Sequence, residues 1–231
     1  MKVFAISDLH LSFGANKPMD VFGGNWTNYL EKIVEDWRQK VCDDDVVLIA
    51  GDISWAMKLD ETKEDFNFLK SLPGKKIITR GNHDYWWASI SGVREVLPEN
   101  VFALQNDAIK IGDFIFCGTR GWTVPETTFE TPQDEKIFKR EIIRLDMSLA
   151  AAKRLQTGDE KIVAMIHFPP VNSVRDDSEF SALFEKYGAQ KVVYGHLHGK
   201  KARATLRFTK NDVEYLLTAC DQTENKLVEV F

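Results

Sequence analysis

The side chains in this chain best suited to chemistry are its five histidines and the carboxylates beside them. They fall in short runs: Asp8-Leu9-His10, Gly51-Asp52, Gly81-Asn82-His83-Asp84, His167, and Gly195-His196-Leu197-His198. Every histidine of the chain lies in one of these runs. Carboxylate, imidazole and amide oxygen together suit a divalent first-row metal such as Mn, Fe, Zn, Co or Ni. No cysteine stands in any run, so a thiolate-preferring site is excluded. The donors outnumber what one tetrahedral ion takes, so two ions fit better than one. Asp8/His10 and His196/His198 are each two residues apart, which lets both members aim at a common point from extended backbone. Taken singly, a DxH or a GD is an ordinary surface turn. The weight lies in all of them occurring together, each at the end of an apolar run.

Those runs are the elements that must position the donors. Val3–Ile6, Val46–Ala50, Lys76–Thr79, Ile162–Ile166 and Val192–Tyr194 read as short strands, the apolar ones buried on both faces. Between them, Trp26, Tyr29, Leu30, Ile33, Val34 and Trp37 recur at helical spacing, with Asn25 as cap. Further helices are predicted over Glu61–Leu72, Gln133–Leu155 (Thr131 capping, Pro132 in the first turn) and Ser178–Tyr187. The first third therefore alternates strand and helix, as in a mostly parallel α/β sheet. Val101–Leu104, Ala108–Ile111 and Phe114–Cys117 read as an antiparallel meander. Ala204–Phe208, Val213–Thr218 and Leu227–Val230 read as antiparallel tail strands. In a parallel sheet, ligands gather beyond the carboxyl ends of the strands, so donors at five such ends converge on one crevice.

The order DxH, GD, GNHD, H, GHxH resembles the calcineurin-like metallophosphoesterase superfamily, and the matching motifs span Asp8 to His198. The resemblance implies an α/β fold of two facing mixed β-sheets flanked by helices, an α/β-β-α sandwich, here a single domain over residues 1–231. It implies that Asp8, His10 and His198 hold one metal, that Asn82, His167 and His196 hold a second, and that Asp52 bridges both. Manganese is the favoured metal. It further implies that His83 is the acid at the leaving oxygen and that Asp84 orients it. Two cations about 3.5–4 Å apart in such a site neutralise phosphoryl oxygens and acidify a water for in-line attack. After Gly51-Asp52 the chain reads Ile53-Ser54-Trp55-Ala56 rather than the GDxxDRG of serine/threonine protein phosphatases, which argues against that branch. The His196-Leu197-His198 ending is closer to cyclic-nucleotide phosphodiesterases and small phosphohydrolases. The expected activity is hydrolysis of a small soluble phosphomonoester, phosphodiester or nucleotide. The alternatives are a non-catalytic scaffold and a metal-binding protein of the same fold.

Three further side chains are expected at the substrate: Arg120, set in Gly118-Thr119-Arg120-Gly121-Trp122 at another strand end, and the aromatic Trp55 and Trp122. A net charge of −5 argues against a nucleic-acid partner, which calls for a basic stripe. No stretch has the length of a membrane span. Three scattered cysteines make no framework of disulfides and point to a reducing cytoplasm.

Overall fold

The computed structural model describes residues 1–15, 17–199 and 205–231. The apolar runs become strands that bury both faces, and alternation decides which face meets what. In β1 (Val3–Ile6), Val3 and Ala5 point to one side and Phe4 and Ile6 to the other. The same holds for β2 (Val46–Ile49) and β3 (Lys75–Thr79). Phe4, Ile6, Val47, Ile49 and Ile78 pack under α1 (Tyr29–Lys40), α2 (Lys63–Ser71) and α3 (Ile90–Val96). Val3, Ala5, Val46, Leu48 and Ile77 face a second sheet.

The first sheet runs β11-β1-β2-β3-β4, with β4 spanning Val101–Leu104 and β11 Val228–Glu229. The second sheet runs β5-β6-β7-β8-β10-β9. Its strands are β5 (Ala108–Ile111), β6 (Phe114–Thr119), β7 (Lys161–Ile166), β8 (Lys191–Tyr194), β9 (Arg207–Lys210) and β10 (Val213–Leu217). Phe116, Val163, Met165, Val193 and Leu216 meet the first sheet. Ile115, Cys117, Ile162, Ala164 and Tyr215 pack under α4 (Pro132–Leu155) and α5 (Glu179–Tyr187). The result is the expected four layers, helices, sheet, sheet, helices. Thr131 and Ser178 cap α4 and α5 by accepting from the backbone N–H of Asp134 and Ser181.

Several expectations need correction. The meander is not formed: β4 pairs parallel with β3, Val101 beside Lys76, because α3 carries the chain across the sheet. Of these three strands, β5 and β6 alone pair as an antiparallel hairpin. In the tail, β10 lies parallel to β8 and antiparallel to β9, while β11 joins the other sheet, antiparallel to β1. Ala204, placed in a tail strand by its sequence, lies outside the described residues. Trp26 sits in a short 3-10 turn, Gly24–Trp26, before α1. Asn28, not Asn25, flanks the helix. Asp45, before β2, is buried and accepts from the backbone N–H of Lys2 and Cys42.

The two sheets are joined where the strands end. Ser7, just past β1, donates its N–H to Thr218 (2.8 Å) and accepts from Cys220 (3.1 Å), both just past β10. Gly195 packs against this junction, and a Cβ there would fall 2.5 Å from both the Asp8 carboxylate and the Ser7 hydroxyl. Gly195→Ala is therefore expected to destabilise the chain by roughly 1–3 kcal/mol, the usual cost of overpacking. Urea unfolding at equilibrium checks this, and an unchanged midpoint would show that the junction yields.

Candidate metal centre

Beyond the ends of β1, β2, β3, β7 and β8 the expected donors converge. Asp8, His10, Asp52 and His198 each offer one ligand atom within 4.8 Å of the others. Asp8, His10 and Asp52 are fully buried. Next to them, Asn82 Oδ1 lies 2.8 Å from His167 Nε2 and 2.9 Å from His196 Nδ1. Asp52 joins the two groups, with Oδ2 3.8 Å from His10 Nε2 and 3.5 Å from His167 Nε2.

The backbone is held in an unusual shape to do this. Asp8 (φ 57°), His10 (φ 46°), Asp52 (φ 53°) and His196 (φ 70°) all adopt the left-handed region. Side-chain-bearing residues enter it at a cost of order 1 kcal/mol each, and such strain clusters at functional sites. Loop-to-loop hydrogen bonds hold it: Asp8 N–H to Gly51 O (3.1 Å), His10 N–H to Asp52 O (3.0 Å) and Gly195 N–H to His167 O (3.1 Å). Gly81 is packed so closely that a Cβ would overlap the backbone N and carboxylate of Asp52.

Burial sets the electrostatics. It pushes the Asp8 carboxyl well above the usual carboxylate range, helped by the neighbouring charge of Asp52. Burial likewise raises Asp52 to about 6. The imidazoles move the other way: burial lowers His167 and His196 to about 3, with neighbouring histidines adding to the effect. His10 and His198 are lowered too, again mainly by burial. Neutral imidazoles near pH 7 keep a lone pair for ligation. Both ring nitrogens of His10 and Asp52 Oδ2 are buried without a hydrogen-bond partner among the described residues. Unpaired buried donors and acceptors are costly, and a divalent cation would satisfy these. Their chemistry, carboxylate with imidazole and amide oxygen, fits such an ion.

A family model for calcineurin-like phosphoesterases matches residues 1–200. The chain belongs to the calcineurin-like phosphoesterase family. Solved structures with the same fold include TT1561 from Thermus thermophilus, at 14% identity, a TM-score of 0.63 and coverage of 98% of this chain and 96% of that one. The phosphopantetheinyl hydrolase PptH from Mycobacterium tuberculosis is 16% identical, with a TM-score of 0.56 and coverage of 100% and 95%. AQ665 from Aquifex aeolicus, a protein of unknown function, is 14% identical, with a TM-score of 0.51 and coverage of 99% and 95%. A search of curated proteins returns no match.

For a member of this family, the surroundings of the centre differ in places from the sequence expectation. The His83 ring lies against His10 (5.6 Å between centroids) and Trp55 (4.8 Å), with Nδ1 unpartnered among the described residues. Its backbone N–H donates to Asp52 Oδ1 (2.8 Å). Asp84 does not orient that ring by a hydrogen bond. Its carboxylate accepts from the N–H groups of Ile53, Ser54 and Gly81 and from Trp86 Nε1. It therefore ties the Asp52 loop to the Asn82-His83 loop. Trp55 stacks on His10, 4.7 Å between centroids and 18° between planes. Trp122 lies against Phe168 (5.0 Å) and beneath the Arg120 guanidinium (4.9 Å). Arg120 is tied to the centre through its backbone, the carbonyl accepting from His167 N–H at 3.0 Å. Trp86 and Trp87 are fully buried core.

Sequence reasoning passed over Trp26, whose ring stands 6.0 Å from His10 and 6.2 Å from His198. It also passed over Ser7, which donates to Asp8 Oδ2 (2.7 Å), and Asp221, which accepts from Gly199 N–H (2.6 Å) and favours the charged form of His198. None stands in a motif, and Asp221 lies past the last one.

The pH dependence of stability tests the neutral imidazoles. His196 has a folded value of about 3 against an ordinary 6.5, so the unfolded chain takes up its proton first as pH falls below 6.5. That stability is present above 6.5 and drains away towards pH 3. Raised carboxylates act in the opposite sense, but they are common to parent and variant. In metal-free chain, His196→Gln should therefore cost less at pH 5 than at pH 7, by up to about 2 kcal/mol. Urea titrations of both proteins at the two pH values measure it. An equal cost at both would mean that the ring takes up a proton as readily in the fold as in the unfolded chain.

Proposed function

We propose that the chain is a metal-dependent phosphohydrolase working with two divalent cations, manganese being the first to try. Asp8, His10 and His198 would hold one cation, Asn82, His167 and His196 the other, and Asp52 both. When bound, the pair would supply Lewis-acid neutralisation of the phosphoryl oxygens and an acidified water. The observation that carries this reading is the buried, unpartnered set of Asp52 and His10 on left-handed backbone, in a chain of this family.

The remaining work falls to the protein's own groups. His83 sits beside the donors without being needed as one. Its imidazole gives a proton to the leaving oxygen, so that an alkoxide need not depart. Asp84 is a positioning residue, holding the Asn82-His83 loop to the Asp52 loop through the N–H groups it accepts from. Trp55 limits the movement of His10 by stacking on it and of His83 by a tilted ring contact. Arg120, backed by Trp122, contributes positive charge on the His167 side for a substrate phosphate.

A cavity of about 360 Å³ opens beside His196. Val124, Pro169, Val171, Tyr194 and Phe208 give it apolar walls, and Arg175 lies at its edge. It suits the organic part of a small soluble phosphoester. Three free cysteines are compatible with work in a reducing cytoplasm.

The test is a screen of Mn²⁺-loaded chain against phosphomonoesters, phosphodiesters, pyrophosphates and a phosphopantetheinyl ester, with metal content measured in parallel. His83→Ala should keep its metal and lose about 10²–10⁴-fold in kcat. Asp52→Asn should lose bound metal as well as turnover. Full turnover in either variant would contradict the assigned roles. Two bound cations with no turnover on any ester class would favour a scaffold instead.

A further inference from the structure

A second cavity, of about 190 Å³, is lined by the segments that follow β3, β4 and β6 and by α4. Arg80, Arg120, Arg140 and Arg144 line it, and among the described residues Glu141 is the one carboxylate on its wall. Arg80 follows directly on β3 and is separated from Asn82 only by Gly81. Arg120 follows directly on β6, and its carbonyl holds the backbone N–H of His167. Arg140 and Arg144 come from α4, four residues apart, where like charges repel.

Glu141 cannot neutralise this set. One of its oxygens accepts from Arg144 Nη1 at 2.6 Å, and the other accepts from the Thr119 hydroxyl and the Gly121 N–H. Arg120 Nη2 is left at 3.8 Å from it, too far for a hydrogen bond. Among the described residues, Arg80 and Arg140 have no carboxylate within 4.0 Å and no hydrogen-bond acceptor. The Nε atoms of Arg80 and Arg120 are shut off from solvent and have no partner among the described residues. Surface arginines normally send these N–H groups to water. Gln105, also on the wall, spends its oxygen on Trp87 Nε1 and so offers its amide NH₂. The pocket thus gathers guanidinium and amide donors in excess, in a chain whose net charge is −5.

We propose that this pocket is an oxyanion site that takes a phosphate group beside the metal centre. Guanidinium donors pair with phosphate oxygens at fixed, often bidentate geometry. The phosphate has two possible sources, a second phosphate carried by the substrate or free inorganic phosphate. The first source rests on the phosphohydrolase reading above; the site itself does not.

The test is calorimetric titration of full-length, Mn²⁺-loaded chain with inorganic phosphate. It is repeated on chelator-treated chain whose circular dichroism matches that of the loaded protein. A saturable event that survives chelation is expected. Arg80→Gln/Arg140→Gln should weaken it about tenfold or more, the loss expected for charge-assisted hydrogen bonds. Lys139→Gln makes the same type of charge change one residue away, at a side chain paired with Glu135, and should leave the event unchanged. No metal-independent event, or one of equal affinity in the double variant, overturns the proposal. A fall as large in Lys139→Gln reduces the site to general electrostatics and overturns it too.

The source is then read from turnover of a bisphosphorylated ester and its monophosphorylated counterpart. Preference for the former, lost in Arg140→Gln, assigns the pocket to the substrate's second phosphate. Equal turnover with the binding event intact assigns it to free phosphate, and either result supports the site. If neither ester is turned over, the phosphohydrolase reading fails while the titration still decides the pocket.

Discussion

Asp8 and Asp52 are fully buried carboxylates with no lysine or arginine beside them among the described residues. Asp52 Oδ2 faces the neutral imidazoles of His10 and His167, and Oδ1 accepts from the His83 backbone N–H. Asp8 has the Ser7 hydroxyl and the His196 N–H. A buried charge without a compensating partner costs several kcal/mol, so this arrangement is unfavourable until something positive enters it. The rest of the fold is consistent with tolerating that cost. Inner faces of Val, Ala, Leu, Phe and Met bring the two sheets together, and the strand ends meet where small residues permit it, at Gly81 against Asp52 and Gly195 against Asp8. Four residues of the centre are held in left-handed backbone by the neighbouring loops. A fold selected only for stability would relax such a junction with glycine, asparagine or a paired cation.

Much of this was legible in the residues. The apolar runs of β1, β2, β7 and β8 mark strands because burial on both faces leaves no room for polar alternation. The donors mark their ends because only there does a buried strand open onto solvent. The capping residue Thr131 marks the start of α4 through chemistry local to four residues. What failed to show was everything set by partners distant in sequence. The run Val101–Leu104 carries no mark of whether it pairs parallel with β3 or antiparallel with β5, since periodicity records faces and not neighbours. Trp26 falls on the helical stripe of α1 by spacing, yet the glycines before it and the left-handed Asn28 stop the helix short and turn the ring towards His10 and His198. Asp84 stands beside His83 in the chain, but its Oδ1 is claimed by N–H groups from the Asp52 loop, some thirty residues earlier, and its Oδ2 by Gly81 N–H.

The same loops that carry the donors also carry charge of the opposite sign. Arg80 precedes Asn82 by two residues, and the Arg120 carbonyl accepts from His167 N–H, so an acidic, imidazole-rich cluster and a guanidinium pocket are connected through the same backbone segments. With a net charge of −5, the chain as a whole repels an anion at long range. Attraction must come from the local field, which screening confines to about 8–10 Å at ordinary salt. Glu141 sits at the balance point. Its carboxylate weakens the field of the arginines, yet it also receives the Thr119 hydroxyl and the Gly121 N–H on either side of Arg120. Replacing it with an apolar residue would strengthen the attraction while releasing the loop that holds Arg120 in place and, through the Arg120 carbonyl, the backbone of His167. The pocket's positive charge is therefore limited by the need to keep its own arginine positioned. That coupling makes α4, which supplies Glu141, Arg140 and Arg144 together, part of the functional site although it contributes no metal donor.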